Sequence, residues 1–515
     1  MNGFLAAVLS LLSLSGPDFI ESHVRVDGAL SSYKLYNIDA DGRDDLVVVV
    51  RHDSGARALH IHYQRESGAF PEQPDRRIDV KNDVIAWGLA DVRVESGREL
   101  LFFTRTGVHS YSPTREGYRD NAARLALVDL LFDTPDPRDL PFWPYVMHRW
   151  PHPDHLLLPG HGWLELWTAS AYGDYRAGPR IATPSPRLRT VQGEIRLSAS
   201  SLRIGFRASP VTFIVEGEES QPSSTRETLL HSSFRQPAPV FADVDGDGKE
   251  DLLLLHGKFL HIHRCQEDGS LGALPWRVED LSSLFEGKDE DEEVSLSTTD
   301  LDRDGRADLI VSPGERSRRS ADGSFTVDLY LGHEDLLVGS SPDRRFKFEA
   351  LRVIPEITDV DGDGRRDLVV IGWNTPLGPQ ALAKVVIERQ LLVFRGAEDG
   401  LPERSASIKE IKTYSPEEIL ALAVLPSLGG DFDGDGLHDL VELDREGAVQ
   451  IRPLVRSSSL LAGASVELAS QPLYTYRTRT RAKSVLVLHP GQDPVADLIV
   501  ELGDELVLFV SRARS

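Results

Sequence analysis

One loop motif, written five times, constrains the fold of this chain more than any other feature. Each copy reads Asp-x-Asp-x-Asp-Gly-x-x-Asp-Leu, with Asn replacing the first Asp in one copy, and runs into β-forming residues. The copies begin at Asn37, Asp243, Asp300, Asp359 and Asp431. Acidic side chains two residues apart on a tight turn point at one centre, and only a hard cation makes that crowding favourable. Their recurrence along the chain predicts a repeat architecture.

The ligand spacing predicts calcium. Oxygen ligands at positions 1, 3, 5 and 9, with a left-handed Gly at position 6 and a main-chain carbonyl at position 7, suit Ca²⁺. We therefore expect about five bound ions. The predicted ligands are Asn37, Asp39, Asp41, Arg43 and Asp45; Asp243, Asp245, Asp247, Lys249 and Asp251; Asp300, Asp302, Asp304, Arg306 and Asp308; Asp359, Asp361, Asp363, Arg365 and Asp367; and Asp431, Asp433, Asp435, Leu437 and Asp439.

Other metal sites fit the motif less well. Zinc and copper prefer His or Cys ligands, which these positions do not offer, and magnesium prefers fewer protein ligands and more water. An EF-hand needs a bidentate Glu at position 12 and flanking helices. Position 12 is apolar in four loops and Glu only in the fifth (Val48, Leu254, Val311, Val370 and Glu442). Because short apolar runs typical of buried strands follow the loops, the EF-hand is rejected.

The expected role of the metal is structural. Two carboxylates ~4 Å apart repel by about 4 kcal/mol at an effective dielectric constant of 20. With a dissociation constant of ~0.1 mM and free calcium of ~1 mM, each site adds roughly 1.4 kcal/mol to the free energy of unfolding. Five such sites would add about 7 kcal/mol, which is comparable to the whole stability of an ordinary domain.

Each loop is followed by a strand, a Gly-containing turn and another strand, as in the segment 251–263. Three further stretches, at 91–111, 148–167 and 493–509, keep this pattern and have lost most metal ligands. Eight units of about 58 residues with four short strands each predict an all-β fold, a β-propeller of eight blades, with seven as the alternative. We expect one domain over 16–515, a closing strand from about 19–26 and an insertion at about 168–235.

Residues 1–15 resemble a secretory signal peptide that lacks a basic n-region. Together with the calcium motif, they predict export to an extracellular or periplasmic location. Cys265 is the single cysteine, so the chain has no internal disulfide. No apolar run is long enough to span a membrane. The net charge of −24 argues against nucleic-acid binding, and we expect a monomer.

The five loops and the strands after them resemble the FG-GAP/VCBS repeat proteins, whose propeller is similar to the head of integrin α subunits. The resemblance extends from about residue 33 to 510. It implies a six- to eight-bladed propeller with Ca²⁺ in hairpin loops, outside the cytoplasm, that binds or adheres more often than it catalyses. The Phe-Gly and Gly-Ala-Pro signatures of integrin blades are poorly kept, so integrin-like ligand recognition does not carry over.

The chain is therefore interpreted as a binding or adhesion scaffold for a protein or a surface glycan. The alternative is an extracellular polysaccharide lyase or hydrolase on the same propeller, because paired catalytic carboxylates cannot be told from calcium ligands here. No nucleophile elbow is found, and no catalytic residue is assigned. A group of His and Trp residues is interpreted as a decayed loop with packed Trp side chains, with a zinc site or a sugar platform as alternatives: His148, His152, His155, His161, Trp143, Trp150, Trp163 and Trp167.

Overall fold

The structure is a computed structural model with side chains. It describes residues 17–93, 97–112, 122–132, 139–149, 152–170, 174–183, 187–192, 211–212, 228–233, 238–285, 294–314, 324–333, 338–339, 341–350, 352–374, 386–415, 418, 424–459, 463–488 and 495–512. The predicted signal segment 1–15 lies outside these residues.

Eight four-stranded antiparallel sheets follow one another along the chain as the blades of a propeller. Blade 1 contains Ala29–Tyr36, Asp45–Arg51, Arg57–His62 and Arg76–Val80, and blade 2 contains Val84–Ala90, Glu99–Thr104, Gly107–Tyr111 and Ala123–Leu127. Blade 3 contains Val146–Arg149, His152–Gly160, Trp163–Ala169 and Tyr175–Ala182, and blade 4 contains Val240–Ala242, Asp251–His256, Phe259–His263 and Arg277–Asp280. Blade 5 contains Val294–Thr299, Asp308–Pro313, Phe325–Tyr330 and Arg344–Phe348, and blade 6 contains Arg352–Thr358, Asp367–Asn374, Ile387–Phe394 and Ile408–Tyr414. Blade 7 contains Ser427–Gly430, Asp439–Leu443, Val449–Arg452 and Tyr474–Tyr476, and blade 8 contains Ser484–Leu488, Asp497–Glu501, Glu505–Ser511 and Phe19–Arg25. The predicted all-β, eight-bladed class is confirmed.

Blade 8 joins the two ends of the chain. Phe19–Arg25 pairs antiparallel with Glu505–Ser511 over seven residue pairs, from Phe19 opposite Ser511 to Arg25 opposite Glu505. The aromatic ring of Phe19 packs edge-on against Phe509 at 5.6 Å between centroids. Closure of this kind matters because it removes two exposed sheet edges at the point where the ring would otherwise open.

The second strand of each blade forms the core. In blade 1, the five residues Leu46–Val50 are all at most 1% exposed, because neighbouring blades cover both faces of the sheet. Such strands read as continuous apolar runs rather than alternating ones. The clusters of buried side chains accordingly span pairs of blades, as between Leu253 of blade 4 and Leu309 of blade 5. Blade-on-blade packing is the main apolar contact of the fold.

Four departures from the regular repeat were not predicted in this form. The insertion predicted at about 168–235 overlaps blade 3, because Tyr175–Ala182 forms its fourth strand with a register shift. A separate three-stranded sheet follows, built from Arg187–Gln192, Val211–Thr212 and Thr228–Ser233. Blade 7 carries a second hairpin, Leu454–Ser459 with Gly463–Leu468, between its third and fourth strands. A short 3-10 helix, Ser282–Phe285, follows blade 4.

Two described stretches, 128–132 and 139–145, lie between the last strand of blade 2 and the first strand of blade 3 in the chain. Leu130 N donates to Arg105 O at 3.0 Å, at the turn between the second and third strands of blade 2. Further along, Trp143 N donates to Trp87 O at 2.7 Å, so the second stretch runs beside the first strand of blade 2. Both stretches are therefore hydrogen-bonded to blade 2.

A charged network crosses the contact between blades 6 and 7. Glu442 of blade 7 is 1% exposed and pairs with Arg389 and Lys412 of blade 6. Arg452 Nη1 lies 3.0 Å from Glu442 Oε1 and 2.6 Å from Glu410 Oε1. Burial by itself would raise the pKa of Glu442, but Arg389 and Lys412 lower it below its usual value. The contact between blades 6 and 7 thus contains three cations and two anions. The other described contacts between blades are largely apolar.

Candidate metal centres

The five acidic loops lie at one end of the propeller. Each joins the first strand of its blade to the second, and strands at these two positions run the same way in every blade. Adjacent blades are hydrogen-bonded there through their main chains. Ala307 N donates to Asp243 O at 2.7 Å, His438 N to Val360 O at 2.9 Å and Ala496 N to Asp431 O at 2.7 Å. The loops therefore form part of the contact between blades.

The ninth-position aspartate anchors each loop. All five of these residues are 0% exposed, and each begins the second strand of its blade: Asp45, Asp251, Asp308, Asp367 and Asp439. One carboxylate oxygen accepts the main-chain N–H of the second loop residue, at 3.3, 3.2, 2.6, 2.9 and 2.8 Å respectively. In the first four, the other oxygen accepts an N–H at the end of the third strand, at 2.9, 2.7, 2.7 and 2.7 Å.

The turn has the conformation expected from its sequence. The sixth-position glycines all have positive φ, between 82° and 91°: Gly42, Gly248, Gly305, Gly364 and Gly436. The fifth-position Oδ1 accepts the N–H of the seventh residue in every loop, for instance Arg43 N to Asp41 Oδ1 at 2.9 Å and Leu437 N to Asp435 Oδ1 at 2.8 Å. A side chain at position 6 would be strained, since this backbone region favours glycine.

Four loops bring three carboxylates together, with oxygens within 4.8 Å of one another. The groups are Asp243, Asp245 and Asp251; Asp300, Asp302 and Asp304; Asp359, Asp361 and Asp367; and Asp431, Asp433 and Asp439. In the first loop the corresponding trio is Asn37, Asp39 and Asp45, which supplies two carboxylates and one amide oxygen. Because Asn replaces the first Asp, loop 1 has one carboxylate fewer at the predicted ligand positions than each of the other loops.

Several oxygens inside these loops are buried without a hydrogen-bond partner in the described protein. Those that form no ion pair either are Asn37 Oδ1, Asp300 Oδ1, Asp359 Oδ1 and Asp439 Oδ1. A buried acceptor without a partner is costly, and a carboxylate oxygen more so. The other oxygens of Asp300 and Asp359 accept N–H groups of Gly305 at 3.1 Å and Gly364 at 2.8 Å. The donor set, oxygen only and aimed inward, fits a hard divalent cation.

In two loops, an arginine from the end of the third strand offsets part of the acidity. Arg264 pairs with Asp245, and Arg395 pairs with Asp361, in both cases from the end of the third strand of the same blade. Arg395 also lies 3.6 Å from Asp363. These arginines occupy carboxylate oxygens that face the loop, so an incoming ion competes with them in blades 4 and 6.

The anchor carboxyls titrate far from their usual range. Burial raises the pKa of Asp45 to about 7, of Asp439 to about 8, and of Asp251, Asp308 and Asp367 to about 6 each. Neighbouring acids add to the effect, as Asp433 and Asp431 do for Asp439. Without a cation, the folded chain therefore holds protons that the unfolded chain releases.

This sets the pH dependence expected for the ion-free protein. Because the folded-state pKa values exceed the unfolded value, the protonated anchors stabilise the fold most below about pH 4. That contribution is lost as pH rises through 6 to 8. In excess EDTA, the melting temperature should fall between pH 5 and pH 8.5. Asp439→Asn, which keeps an acceptor for Phe432 N, should flatten the decline, with exposed Asp53→Asn as control. A melting temperature that rises with pH would contradict this assignment.

Blades 2, 3 and 8 have lost most metal ligands but keep a buried hydrogen-bond acceptor at the anchor position. Sequence reasoning missed this feature. Asp497 Oδ1 accepts Ser511 N at 2.7 Å in blade 8, and Glu99 Oε2 accepts Val92 N at 2.8 Å in blade 2. In blade 3, His155 Nδ1 accepts Ala169 N at 3.0 Å. A buried acceptor directly before the apolar run of the second strand could have been found by aligning the eight runs.

Three tryptophans of the His and Trp group have partners within the fold. Trp143 Nε1 donates to Leu157 O at 2.8 Å, and Trp167 Nε1 donates to Glu165 Oε2 at 2.8 Å. The guanidinium of Arg180 stacks over Trp163 at 4.3 Å. Trp150 and the side chains of His148 and His152 lie outside the described part of the structure. The interpretation of this group as a decayed loop stays a prediction.

Comparisons with known proteins concern the fold alone. The chain matches no protein-family profile and no curated protein. Among solved structures, it is similar to an Agrocybe aegerita lectin that recognises non-reducing terminal N-acetylglucosamine, with 11% identity over 78% of this chain and 91% of that chain and a TM-score of 0.34. It is also similar to the WD40 domain of SCAP from fission yeast, with 9% identity over 96% and 98% and a TM-score of 0.39. At such values these similarities carry no functional argument.

Within the part of the chain that the structure describes, no helix has the length and apolar character needed to cross a membrane.

Proposed function

We propose that this chain is an exported, calcium-stabilised β-propeller of the FG-GAP/VCBS type that serves as a binding scaffold for a protein or a surface glycan. The observation that carries the proposal is the set of buried, inward-facing loop oxygens without protein partners, at Asn37, Asp300, Asp359 and Asp439. Bound Ca²⁺ would supply the missing positive charge.

The loop positions support calcium as a structural ion. The loops join adjacent blades through main-chain hydrogen bonds, such as Ala307 N to Asp243 O at 2.7 Å. An ion that fixes the loop thus also fixes the contact between two blades. The predicted ligands that would hold it are the first-, third-, fifth- and ninth-position side chains together with the seventh-position carbonyls.

Calcium also supports the proposed location. Weak sites of this kind fill at the millimolar calcium found outside cells, and stay empty at cytosolic concentrations. A scaffold whose blades are held by such sites would be rigid only after export. Rigidity lowers the entropic cost of binding a partner, because the surface is already ordered.

Calcium binding is tested by isothermal titration of the chelated protein. We expect four or five sites per chain. Asp302→Ala removes an exposed carboxylate from the group in blade 5 and should lower the stoichiometry by one, whereas Asp53→Asn should leave it unchanged. Absence of calcium binding up to about 10 mM would end the proposal, because sites weaker than that lie outside the range of structural loops.

The scaffold and enzyme alternatives are separated by exposing the calcium-loaded protein to a glycan array and to soluble polysaccharides. A scaffold retains its ligand without changing it. A lyase or hydrolase releases shorter products over time. Shorter products would show that the protein is an enzyme rather than a scaffold. This conclusion would not depend on the result of the calcium titration.

A further inference from the structure

Two arginines connect acidic loops of neighbouring blades, and we call Arg306 and Arg456 the bridging arginines. Arg306 is the seventh residue of the blade 5 loop, and its Nη1 donates to Asp245 O of the blade 4 loop at 2.6 Å. The guanidinium of Arg456 donates to Asp361 O of the blade 6 loop at 3.3 Å and to Asp435 O of the blade 7 loop at 3.2 Å. In both pairs of blades, a guanidinium thus reaches the main-chain carbonyl of the third residue of the preceding loop.

The side chain of Arg306 is packed between the loops of blades 4 and 5. It is 23% exposed, and a Cβ added at Gly246 of the blade 4 loop would lie 3.3 Å from Arg306 Cγ. The fourth position of that loop therefore leaves the space in which the arginine lies. Beside it, Ala307 N donates to Asp243 O at 2.7 Å. Main chain and guanidinium together join the two loops.

Arg456 makes the equivalent contact from a different part of the chain. The seventh residue of the blade 7 loop is Leu437, an apolar side chain that is 0% exposed and has no donor to offer the blade 6 loop. Arg456 belongs instead to the second hairpin of blade 7, in which Leu454–Ser459 pairs with Gly463–Leu468. Because the same contact arises from two unrelated positions, it is not a by-product of the repeated loop sequence.

Arg306 belongs to two predicted metal centres at once. Its carbonyl is the predicted seventh-position ligand in blade 5, and its guanidinium holds Asp245, whose carboxylate is one of the trio in blade 4. Its Nε lies 3.9 Å from Oδ2 of Asp304, the fifth-position ligand of its own loop. When Asp304 turns to a cation, this competing partner is lost and the backbone of Arg306 is fixed. The entropic cost of ordering the arginine is then incurred once for both loops.

We propose that calcium binding in blades 4 and 5 is positively cooperative and that Arg306 is the positioning residue that couples the two loops. Arg456 couples the loops of blades 6 and 7 in the same way. The inference rests on the proposed calcium function and deepens it, because it states how neighbouring sites regulate one another. Each site raises the calcium affinity of the other by the same factor, and we expect about fivefold, at the lower end of the usual range.

Charge alone would couple the loops in the opposite direction. A cation in one loop makes the surroundings of the next loop less negative, so a second cation is attracted less strongly. Salt screens this effect, with a Debye length of about 8 Å at 0.15 M, whereas a direct hydrogen bond persists. The sign of the coupling at that ionic strength therefore separates the effect of Arg306 from the effect of charge.

Trp276 provides a reporter for the blade 4 loop. Its ring centroid lies 5.7 Å from the guanidinium carbon of Arg264, which pairs with Asp245. Because an incoming ion competes with Arg264 for this carboxylate, the surroundings of Trp276 change when the blade 4 loop fills. The chain has seven tryptophans, so one fluorine label on each gives a spectrum in which a single substitution assigns the signal.

The test is a calcium titration of the full chain labelled with 5-fluorotryptophan, followed by fluorine NMR, with Trp276→Phe to assign the reporter signal. A fivefold coupling between two sites of equal affinity gives the Trp276 signal a Hill slope of about 1.4. Arg306→Met should lower that slope to about 1 or below, a change that a purely structural role of the arginine would not cause. Arg77→Met, at an exposed arginine of blade 1 that pairs with Asp79, is the control and should keep the slope.

A double-mutant cycle measures the coupling independently of the slope. Asp302→Ala removes a ligand from the blade 5 loop and should raise the midpoint of the Trp276 signal by about two- to fivefold. In the Arg306→Met background, the same substitution should not raise it. Melting curves in calcium establish first that each variant is folded. If Arg306→Met does not fold, Arg306→Gln, whose shorter side chain ends before the Asp245 carbonyl, takes its place with the same expected result.

The outcomes separate this inference from the calcium proposal. If isothermal titration shows calcium binding but the Trp276 signal stays still or has a slope of 1, the coupling is wrong and the calcium proposal stands. A midpoint that rises equally in both backgrounds would show that Arg306 does not carry the coupling. A midpoint that falls in Asp302→Ala would mean that charge dominates, which also overturns the inference. Absence of calcium binding would end both proposals together.

Discussion

Chelation of calcium should lower the melting temperature by about 10 °C or more. At ~10 mM calcium and a dissociation constant of ~0.1 mM, each site contributes about 2.7 kcal/mol. Four or five sites then contribute about 11 to 14 kcal/mol. An unfolding entropy of about 2.1 cal/mol/K per residue gives about 1.1 kcal/mol/K for a chain of this length, so about 1 kcal/mol corresponds to 1 °C.

The measurement is differential scanning calorimetry at pH 7.5 in calcium, in EDTA, and in EDTA with magnesium added in excess. Magnesium should restore little of the lost stability, because it demands a tighter octahedral set than these loops offer. The physical source is visible in the trio Asp431, Asp433 and Asp439, whose oxygens lie within 4.8 Å of one another. An unchanged melting temperature in EDTA would remove the metal assignment.

Glu442→Gln should cost about 3 to 5 kcal/mol of unfolding free energy, or about 3 to 5 °C in melting temperature for a chain of this size. Removing the central anion leaves three cations, Arg389, Lys412 and Arg452, with Glu410 as the one remaining anion of this network. Arg389 is 2% exposed and cannot turn to solvent. A buried pair that loses one partner destabilises through the uncompensated charge that remains.

The matched control is Glu410→Gln in the same network. Glu410 is 20% exposed, so solvent can compensate its loss, and the cost should be about 1 kcal/mol. Chemical denaturation of both variants in calcium measures the difference. Equal effects of the two substitutions would show that burial of Glu442 does not set the energetics. The double change Arg389→Met with Glu442→Leu should recover part of the loss, since apolar residues can replace a buried pair.

The sequence predicted the loops well because their geometry is local. Positive φ at Gly42 and Gly436 and the bonds from Asp41 Oδ1 and Asp435 Oδ1 arise within nine residues of chain. The eight-bladed class followed for a similar reason, since each blade repeats one apolar run. The identity of the cation, the partner and the export route stay predictions.

Glu442 shows what sequence reasoning could not see. At position 12 of its loop it was the one residue that matched an EF-hand ligand. In the structure it lies on the strand Asp439–Leu443 and pairs with blade 6 through Arg389 and Lys412. Nothing near it in sequence foretells these partners, which come from strands that end before residue 415.

The sequence by itself determined that the chain folds into all-β repeats with acidic turns. The spacing of acids, glycines and apolar runs is enough for this, because each of these patterns acts over only a few residues. Only the tertiary structure decided where the outer strand of blade 3 lies and that charges bridge blades 6 and 7. These depend on contacts between blades, and a chain specifies such contacts through the joint volume and charge of residues far apart in sequence rather than through any local pattern.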